Sequence, residues 1–433
     1  MSARPIVILG AGLTGLSAAR HLPPGSYRLI EREARVGGHA VTEEHEGWRF
    51  DRTGHLLHLR DAETRAMIEG LLEGELLEIE RRSKVWSHGV FTDYPFQANT
   101  YGLPREIVRE CLVGFIEARV AAAKSSRAPS TFEDLILGQF GEGIARHFMI
   151  PYNTKIWGVH PREMTASWCE RFVPVPSIED IVQGALGPPR SQLGYNARFL
   201  YPRRGISALP EALARGLHVE LGRQPVAVDP VERTVTLDDG ERVQFEVALC
   251  TAPLPRLIGL MAERAPAAVR DAARLLRHTG LWYLDVGLER PPRTDLHWAY
   301  VPEERLPFYR VGVYTNFSAE LAPPGRGSLY VELSSRSRPD MLELGPVVAR
   351  GLEEMGLIRD ASEIAFTIPR FLEHAYVIPD RRTDGALRTI LPFLEEHRIF
   401  AAGRYGAWTY SSMEDAIVMG KDAARRALEV HGG

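Results

Sequence analysis

Gly10, Gly12 and Gly15 follow the apolar run Ile6-Val7-Ile8-Leu9 at the spacing Gly-x-Gly-x-x-Gly, and the residues after them read as a helix. A strand that turns through glycines into a helix presents unpaired N–H groups and the positive end of a helix dipole, which together take a diphosphate. Gly10 permits the tight turn, Gly12 lets backbone approach a pyrophosphate, and Gly15 lets the helix pack on the strand. A second strand over 27–30 ends in Glu31, about 20 residues beyond the first glycine, where an acid accepts hydrogen bonds from an adenosine ribose. Gly37-Gly38 follows six residues later. A tight βα turn without ligand would show the same glycines, but the flanking strand, helix and acid favour a dinucleotide site, open to NAD or FAD.

Further along, aromatic rings recur beside an amide, Lys or Arg. The clusters are Tyr94-Pro95-Phe96-Gln97, Tyr152-Asn153-Thr154-Lys155-Ile156-Trp157, Tyr195-Asn196, Phe308-Tyr309-Arg310 and Arg404-Tyr405-Gly406-Ala407-Trp408-Thr409-Tyr410. Each alone reads as a packed aromatic with a satisfied polar end. Together they suit a nucleotide: a ring for the base, an amide for its edge, and Arg with tyrosine hydroxyls for a diphosphate. There is no Gly-x-Ser-x-Gly elbow, no His-Glu-x-x-His and no pair of acids at an informative spacing. His55 and His58 lie three apart without a third ligand nearby, so no metal site is expected. With no protein nucleophile in view, the chemistry falls to a cofactor.

These residues need a scaffold, and 433 residues supply one of two or three units, since single cores rarely exceed about 250–300 residues. A net charge of −4 with dispersed Lys and Arg gives no support to nucleic-acid binding. Cys111, Cys169 and Cys250 have neither metal spacing nor a disulfide framework, so a reducing, cytoplasmic setting is expected. The short N-terminal apolar run reads as a buried strand rather than a signal peptide, and no stretch approaches membrane-spanning length.

Helices are expected over 61–72, from Pro104 (with Ile107, Val108, Cys111, Leu112, Phe115 and Ile116 at helical spacing), and from the capping box Thr131-Phe132-Glu133-Asp134, the last broken near Gly141 or Gly143. Residues 85–91 read as a strand turning at His88-Gly89, residues 100–185 as mainly helical, and 187–191 as a loop suited to a lid. Beyond it the period shifts: 235–245 alternates around Asp239-Gly240 as a hairpin, 247–250 is a buried strand, and 282–288, 308–314, 329–333 and 364–368 suggest a mostly antiparallel sheet. Residues 399–404 and 414–428 return to strand, glycine turn and helix, which makes the dinucleotide domain discontinuous.

Gly37-Gly38 followed by Phe50-Asp51-Arg52-Thr53-Gly54-His55 resembles the start of amine-oxidase-like flavoproteins, which favours FAD. Over nearly the whole chain the sequence resembles the UDP-galactopyranose mutase family, especially its eukaryotic type. The resemblance is carried by Tyr94-Pro95-Phe96-Gln97, by the run from Gly141 through Pro151-Tyr152-Asn153-Thr154-Lys155-Ile156-Trp157, and by Glu170-Arg171-Phe172-Val173. Asn196-Ala197-Arg198-Phe199, Pro307-Phe308-Tyr309-Arg310 and Gly403-Arg404-Tyr405-Gly406-Ala407-Trp408 complete it in the family's order.

The resemblance implies an α/β fold: a discontinuous FAD-binding Rossmann-like domain (1–78, 195–255, 396–433), a mainly helical domain (79–194) and a mostly antiparallel six-stranded sheet domain (256–395). It implies an NDP-sugar pyranose–furanose mutase, acting on UDP-galactose or a related UDP-sugar, in which reduced FAD attacks the anomeric carbon through N5 without net oxidation. Arg171 and Arg310 would hold the diphosphate with Tyr300, Tyr376 and Tyr410. Tyr94, Phe96, Gln97, Asn153 and Trp157 would surround the nucleotide, and Asn196 would reach the sugar from a mobile loop. His55 would lie against the flavin with its carbonyl near N5. The cofactor set would comprise Gly10, Gly12, Leu13, Thr14, Gly15, Glu31 and Arg32, then Gly37, Gly38, His39, Gly54 and Val226, and finally Gly403, Arg404, Met413 and Asp415. Arg81, Ser83 and Arg404 correspond to places that touch NADPH, which with other reductants is a candidate to reduce the flavin.

The chain also departs from the family. Phe317 replaces a tyrosine after the Arg310 strand, which removes a hydroxyl near the substrate. The turn after Tyr410 is shorter, and Cys169 replaces a glycine. Two other readings stand beside the mutase: a net FAD oxidoreductase of the amine-oxidase or protoporphyrinogen-oxidase type, and a flavin-binding protein without catalysis. Oligomers are compatible with any of the three.

Overall fold

The computed structural model describes residues 4–124, 128–169, 173–188, 197–335 and 337–431. The apolar run before the glycines forms strand Ile6–Leu9, buried throughout. It is the middle strand of a five-stranded parallel sheet in the order Ile399–Ala401, Val247–Cys250, Ile6–Leu9, Tyr27–Ile30, Val219–Glu220. Such a sheet must be covered on both faces. Helices Leu13–Arg20 and Met413–His431 cover one, where Leu16, Ile417 and Ala424 share a core with Ile6 and Ile8. Helices Leu254–Met261, Ala267–Leu275 and Arg381–Glu396 cover the other, where Leu257, Val269 and Ile390 pack with Val7, Leu9 and Ala248. The boundary drawn from sequence put nearly all of these last three helices with the antiparallel sheet; their apolar faces join them to the parallel one.

The second sheet has seven strands, one more than expected, in the order Ile364–Val377, His278–Leu288, Gly327–Ser334, Arg310–Val313, Trp298–Tyr300, Ser83–Ser87, Val90–Asp93. All pairings are antiparallel except that of Trp298–Tyr300 with Ser83–Ser87. Two of the seven strands, Ser83–Ser87 and Val90–Asp93, form the hairpin at His88-Gly89, where both residues take positive φ (54° and 75°), as the tightest hairpin turns require. Residues 83–93, counted with the helical unit from sequence, thus extend the sheet.

Register matters here more than strand count. Tyr300, Arg310, Glu332, Tyr283 and Arg370 pair successively and form one row across the sheet. Trp298, Gly312, Tyr330, Asp285 and Ile368 form the next row on the same face.

The helical unit contains Arg105–Ala122 and Phe132–Ile144, the latter opened by the Thr131/Asp134 capping box. Gly141 leaves helical geometry at φ 75°, and a Cβ on it would lie 2.0 Å from the Gly114 carbonyl oxygen, so only glycine allows the two helices to cross this closely. A π-helical stretch, Ala145–Met149, then feeds helix Ile150–Trp157, which carries Asn153 and Trp157.

Candidate active site

A cavity of about 940 Å³ opens at the carboxyl ends of the parallel strands, where this type of sheet binds ligands. Of the residues expected around a cofactor, Gly10, Gly12, Leu13 and Thr14 line it at the first βα turn, and Glu31 and Arg32 at the end of strand Tyr27–Ile30. Gly37, Gly38, His39 and His55 line it further in, and Gly403, Arg404 and Met413 close it from the C-terminal segment. The other expected cofactor residues stand behind the lining. A Cβ on Gly15 would lie 1.9 Å from the Gly10 carbonyl oxygen, so this glycine serves the packing of the turn. Gly54 abuts the Tyr330 hydroxyl, and Asp415 accepts from the Ser412 N–H at 2.7 Å at the start of the last helix. Val226 sits at an irregularity of strand Pro225–Asp229 and is 45% exposed, while its neighbour Pro225 lines the cavity.

Glu31 fastens the phosphate loop. One carboxylate oxygen accepts from the Ala11 N–H at 2.7 Å and the other from the Glu33 N–H at 2.8 Å, which leaves acceptor capacity for ribose hydroxyls. Burial drives the His39 imidazole down to about 3, aided by the charges of Arg52 and Arg404. Burial also takes His55 down to about 4, together with Arg404, Arg310 and Arg52 and against a hydrogen bond to the Thr53 carbonyl. Both rings are therefore neutral at physiological pH.

Beyond His55 lies a ring of aromatics around Arg310. The Arg310 guanidinium donates Nε and Nη2 to the two oxygens of Glu332, each at 2.6 Å, and Glu332 is wholly buried. Its Cζ stands 5.7 Å from the Tyr330 ring centre. Tyr300 lies 4.9 Å from Tyr94 and 5.3 Å from Tyr152, centre to centre. Trp157 lies 5.5 Å from Tyr376 and 5.6 Å from Tyr410, and the Arg404 guanidinium stands over both tyrosines. Burial pushes the Tyr376 hydroxyl up to about 12, so it remains a donor. The structure thus gathers Arg310, Tyr94, Tyr300, Trp157, Tyr376, Tyr410 and Arg404, which the sequence scatters over three hundred positions.

Other expected substrate residues sit deeper. Phe96 is wholly buried and stacks on Phe148 at 5.0 Å. Gln97 donates to the Pro174 carbonyl at 3.0 Å, while its own oxygen is buried without a partner among the described residues. Asn153 accepts from the Trp157 indole N–H at 3.3 Å and donates to the Met149 carbonyl. Phe317 packs in an aromatic cluster with Phe199, Tyr201, Trp298 and Tyr314. Arg81 is buried with its guanidinium 4.9 Å from the Tyr94 ring centre, and Ser83 is buried on the neighbouring strand. Arg171, Asn196 and most of the expected lid loop lie outside the described residues.

Sequence reasoning missed Glu332, Tyr330, Tyr283 and Arg370. A signal for the first existed: Glu332 is an acid within the apolar run Leu329–Leu333, a placement tolerated only when a cation answers it. Among the described residues no helix is long and apolar enough to cross a membrane, and no group of three or more His, Cys, Asp or Glu is placed to hold a metal ion.

The model of flavin containing amine oxidoreductases matches residues 13–428. The chain belongs to this family. Within its fold, a crystal structure of reduced UDP-galactopyranose mutase superposes with a TM-score of 0.91 at 27% identity, covering 99% of this chain and 94% of that one. A putative protoporphyrinogen oxidase from Exiguobacterium sp. 255-15 shares the fold at a TM-score of 0.74 and 17% identity, over 99% of this chain and 100% of its own. By sequence, a zeta-carotene-forming phytoene desaturase of Myxococcus xanthus is 23% identical over 377 residues, 76% of this chain and 71% of its own length. A probable UDP-galactopyranose mutase of Klebsiella pneumoniae is 24% identical over 238 residues, 52% of this chain and 57% of its own.

The cavity fits the FAD of this family. Two helix N-termini, at Leu13 and Met413, open on it. His39 Nδ1 and Ser411 Oγ on its wall are buried without partners among the described residues, as polar groups awaiting a ligand are. A Cβ on Gly12 would meet only the Gly38 Cα, at 3.9 Å, so two bare backbones face each other across the entrance to the phosphate loop.

Proposed function

We propose that the chain is a FAD-dependent NDP-sugar pyranose–furanose mutase of the cytoplasm, acting on UDP-galactose or a closely related UDP-sugar. The observation that carries this reading is Arg310, held by the wholly buried Glu332 inside a ring of tyrosines beside the cofactor cavity. A polyene or an amine has no use for a fixed guanidinium and several phenolic donors; a diphosphate does. The overall likeness to a reduced UDP-galactopyranose mutase supports the same reading.

When bound and reduced, the flavin supplies the nucleophile for the anomeric carbon at N5, and the reaction leaves its oxidation state unchanged. The residues do the remainder. Arg310, with Arg171, binds the diphosphate and stabilises the charge that grows on it as the glycosidic bond breaks. Tyr300, Tyr376 and Tyr410 donate further hydrogen bonds, and Gln97, Asn153 and Trp157 form the uracil end. Asn196 on the loop contacts the sugar, and closure of that loop excludes water. Neutral His55 adds no positive charge beside the cofactor and offers its backbone carbonyl. Arg81, Ser83 and Arg404 receive the reductant, NADPH or another donor.

A net oxidoreductase is the second reading, favoured by the likeness to phytoene desaturases. Anaerobic incubation with UDP-galactose, the flavin oxidised in one vessel and dithionite-reduced in the other, separates the two. Conversion to an isomer of unchanged mass only in the reduced vessel is expected. Flavin reduction by substrate in the oxidised vessel, with loss of two hydrogens from it, would establish the oxidoreductase instead.

A further inference from the structure

The hairpin of Ser83–Ser87 and Val90–Asp93 meets the helical unit through its turn. His88 Nε2 lies 3.2 Å from His147 Nδ1, with the two rings nearly perpendicular at 86°. His88 is exposed, whereas the His147 side chain, on the π-helical stretch Ala145–Met149, keeps only 11% of its surface in solvent. The other nitrogen of His147, Nε2, stands 2.9 Å from Glu110 Oε2 on helix Arg105–Ala122. A carboxylate only accepts, so Nε2 carries a proton and the lone pair of the neutral ring is fixed at Nδ1, on the side of His88. A carboxylate that orients a histidine from behind and makes it more basic is the arrangement in which metal-ligating imidazoles are held. The spacing agrees: two nitrogens bound at about 2.0–2.1 Å to a tetrahedral ion stand about 3.3 Å apart.

We propose that His88 and His147 form a two-nitrogen chelate for a borderline divalent cation such as Zn²⁺, with Glu110 as the positioning residue behind it. Without metal, one proton is shared between the two facing nitrogens. The ion takes the place of that proton, which passes to the other nitrogen of the exposed His88 ring or to water, and each facing nitrogen gives its lone pair to the metal. Water completes the shell, since no group of three or more ligand side chains is gathered among the described residues. Local charge does not select the ion: Arg146 pairs with Glu110, and Glu303, which accepts from the Gly89 N–H at 3.4 Å, pairs with Arg305. The selection comes from the imidazoles, which suit Zn²⁺, Ni²⁺ or Cu²⁺ and not the oxygen-seeking Mg²⁺ and Ca²⁺. The ion staples the hairpin, which runs on into Tyr94, to the stretch whose Phe148 stacks on Phe96 at 5.0 Å. It thereby braces the uracil end of the candidate site, a consequence that rests on the function proposed above.

Tag-free, flavin-loaded protein, stripped with a chelator and dialysed, is titrated with ZnCl₂ by calorimetry. One saturable equivalent is expected in the parent, and none when MgCl₂ or CaCl₂ replaces ZnCl₂. His88→Asn removes one ligand and keeps a residue type that accepts the φ of 54° at this turn, so the fold is retained and the equivalent is lost. Glu110→Gln leaves both ligands and is expected to weaken uptake by about 10–100-fold. No saturable uptake by the parent, or uptake by His88→Asn equal to that of the parent, overturns the proposal, and unchanged affinity in Glu110→Gln overturns the part given to the acid. Metal uptake does not pass through turnover, so its failure is distinguishable from a failure of the mutase reading.

Discussion

Arg310 and Glu332 face each other across neighbouring strands and share two hydrogen bonds of 2.6 Å, with the acid fully buried. A buried ion pair of this kind fixes the guanidinium plane rather than adding much stability, because desolvation offsets most of the attraction. Nη1 of Arg310 has no partner among the described residues, so the charge is oriented and one edge of it is left for a ligand. Tyr300 precedes Arg310 in the same row and Tyr283 follows Glu332, which flanks the pair with phenols.

Glu332→Gln tests this arrangement. Removing one charge of a buried pair costs about 3–5 kcal/mol, so the unliganded variant is expected to melt well below the parent. A nucleoside diphosphate returns the missing negative charge. UDP is therefore expected to raise the melting temperature of Glu332→Gln more than that of the parent, by thermal shift at matched saturation. Equal shifts in the two proteins would remove Arg310 as the diphosphate holder.

Tyr330 lies across Gly312 with its hydroxyl against Gly54. A Cβ on Gly312 would be 1.9 Å from a Tyr330 ring carbon, and one on Gly54 2.4 Å from the hydroxyl oxygen. Both Gly→Ala changes are expected to cost roughly 1–3 kcal/mol through overpacking. The two differ in their rescue: Tyr330→Phe deletes the atom that Gly54→Ala meets, but leaves the ring that Gly312→Ala meets. Chemical denaturation of the two double variants should show recovery for Gly54→Ala and none for Gly312→Ala.

How much of this was legible in the sequence depends on the range of the signal. The phosphate turn, Glu31 and the hairpin at His88-Gly89 are local in sequence, and their residue types alone dictate the backbone. The return of residues 399–431 to the first sheet was visible because a buried strand, a glycine and a helix recur there. The place of the hairpin 83–93 in the second sheet was hidden because it joins through a parallel pairing with Trp298–Tyr300, more than two hundred residues away. The helices on the second face of the parallel sheet were assigned to the wrong neighbour because an amphipathic pattern states that a face is buried, not against what. Arg310 was identified through resemblance, whereas its partner needed register: Glu332 becomes meaningful only when strands Arg310–Val313 and Gly327–Ser334 are aligned.

Glu31→Gln addresses the cofactor site. Glu31 accepts from both Ala11 and Glu33 backbone N–H groups, and the amide of glutamine turns a donor toward one of them. Loss of a charge-assisted bond of this kind is worth roughly 1.5–3 kcal/mol, so FAD affinity is expected to fall by about tenfold or more. Reconstitution of the deflavinated protein, followed by flavin fluorescence, measures it. Unchanged affinity would show that the phosphate loop does not depend on this acid.

His297 provides a pH test remote from the cofactor cavity. The ring is wholly buried, and its Nδ1 accepts from the Arg82 N–H at 2.9 Å, so it must be neutral at that nitrogen. Burial, with the Arg82 charge beside it, takes it down to about 4, against a hydrogen bond to the Asn316 backbone. The folded value is thus below the unfolded value of about 6.5. The resulting stability is fully present above pH about 6.5 and is lost as pH falls through the folded value near 4, because only the unfolded chain takes up the proton in between; over that window it amounts to about 3 kcal/mol. His297→Asn keeps an acceptor for Arg82 and removes the titration. Urea unfolding from pH 8 to pH 4 is therefore expected to show a shallower acid decline for the variant, with the remaining slope carried by His39, His55 and His58, whose values are also lowered by burial. Parallel declines in parent and variant would mean that His297 is protonated in the folded protein and that the Arg82 contact breaks without cost.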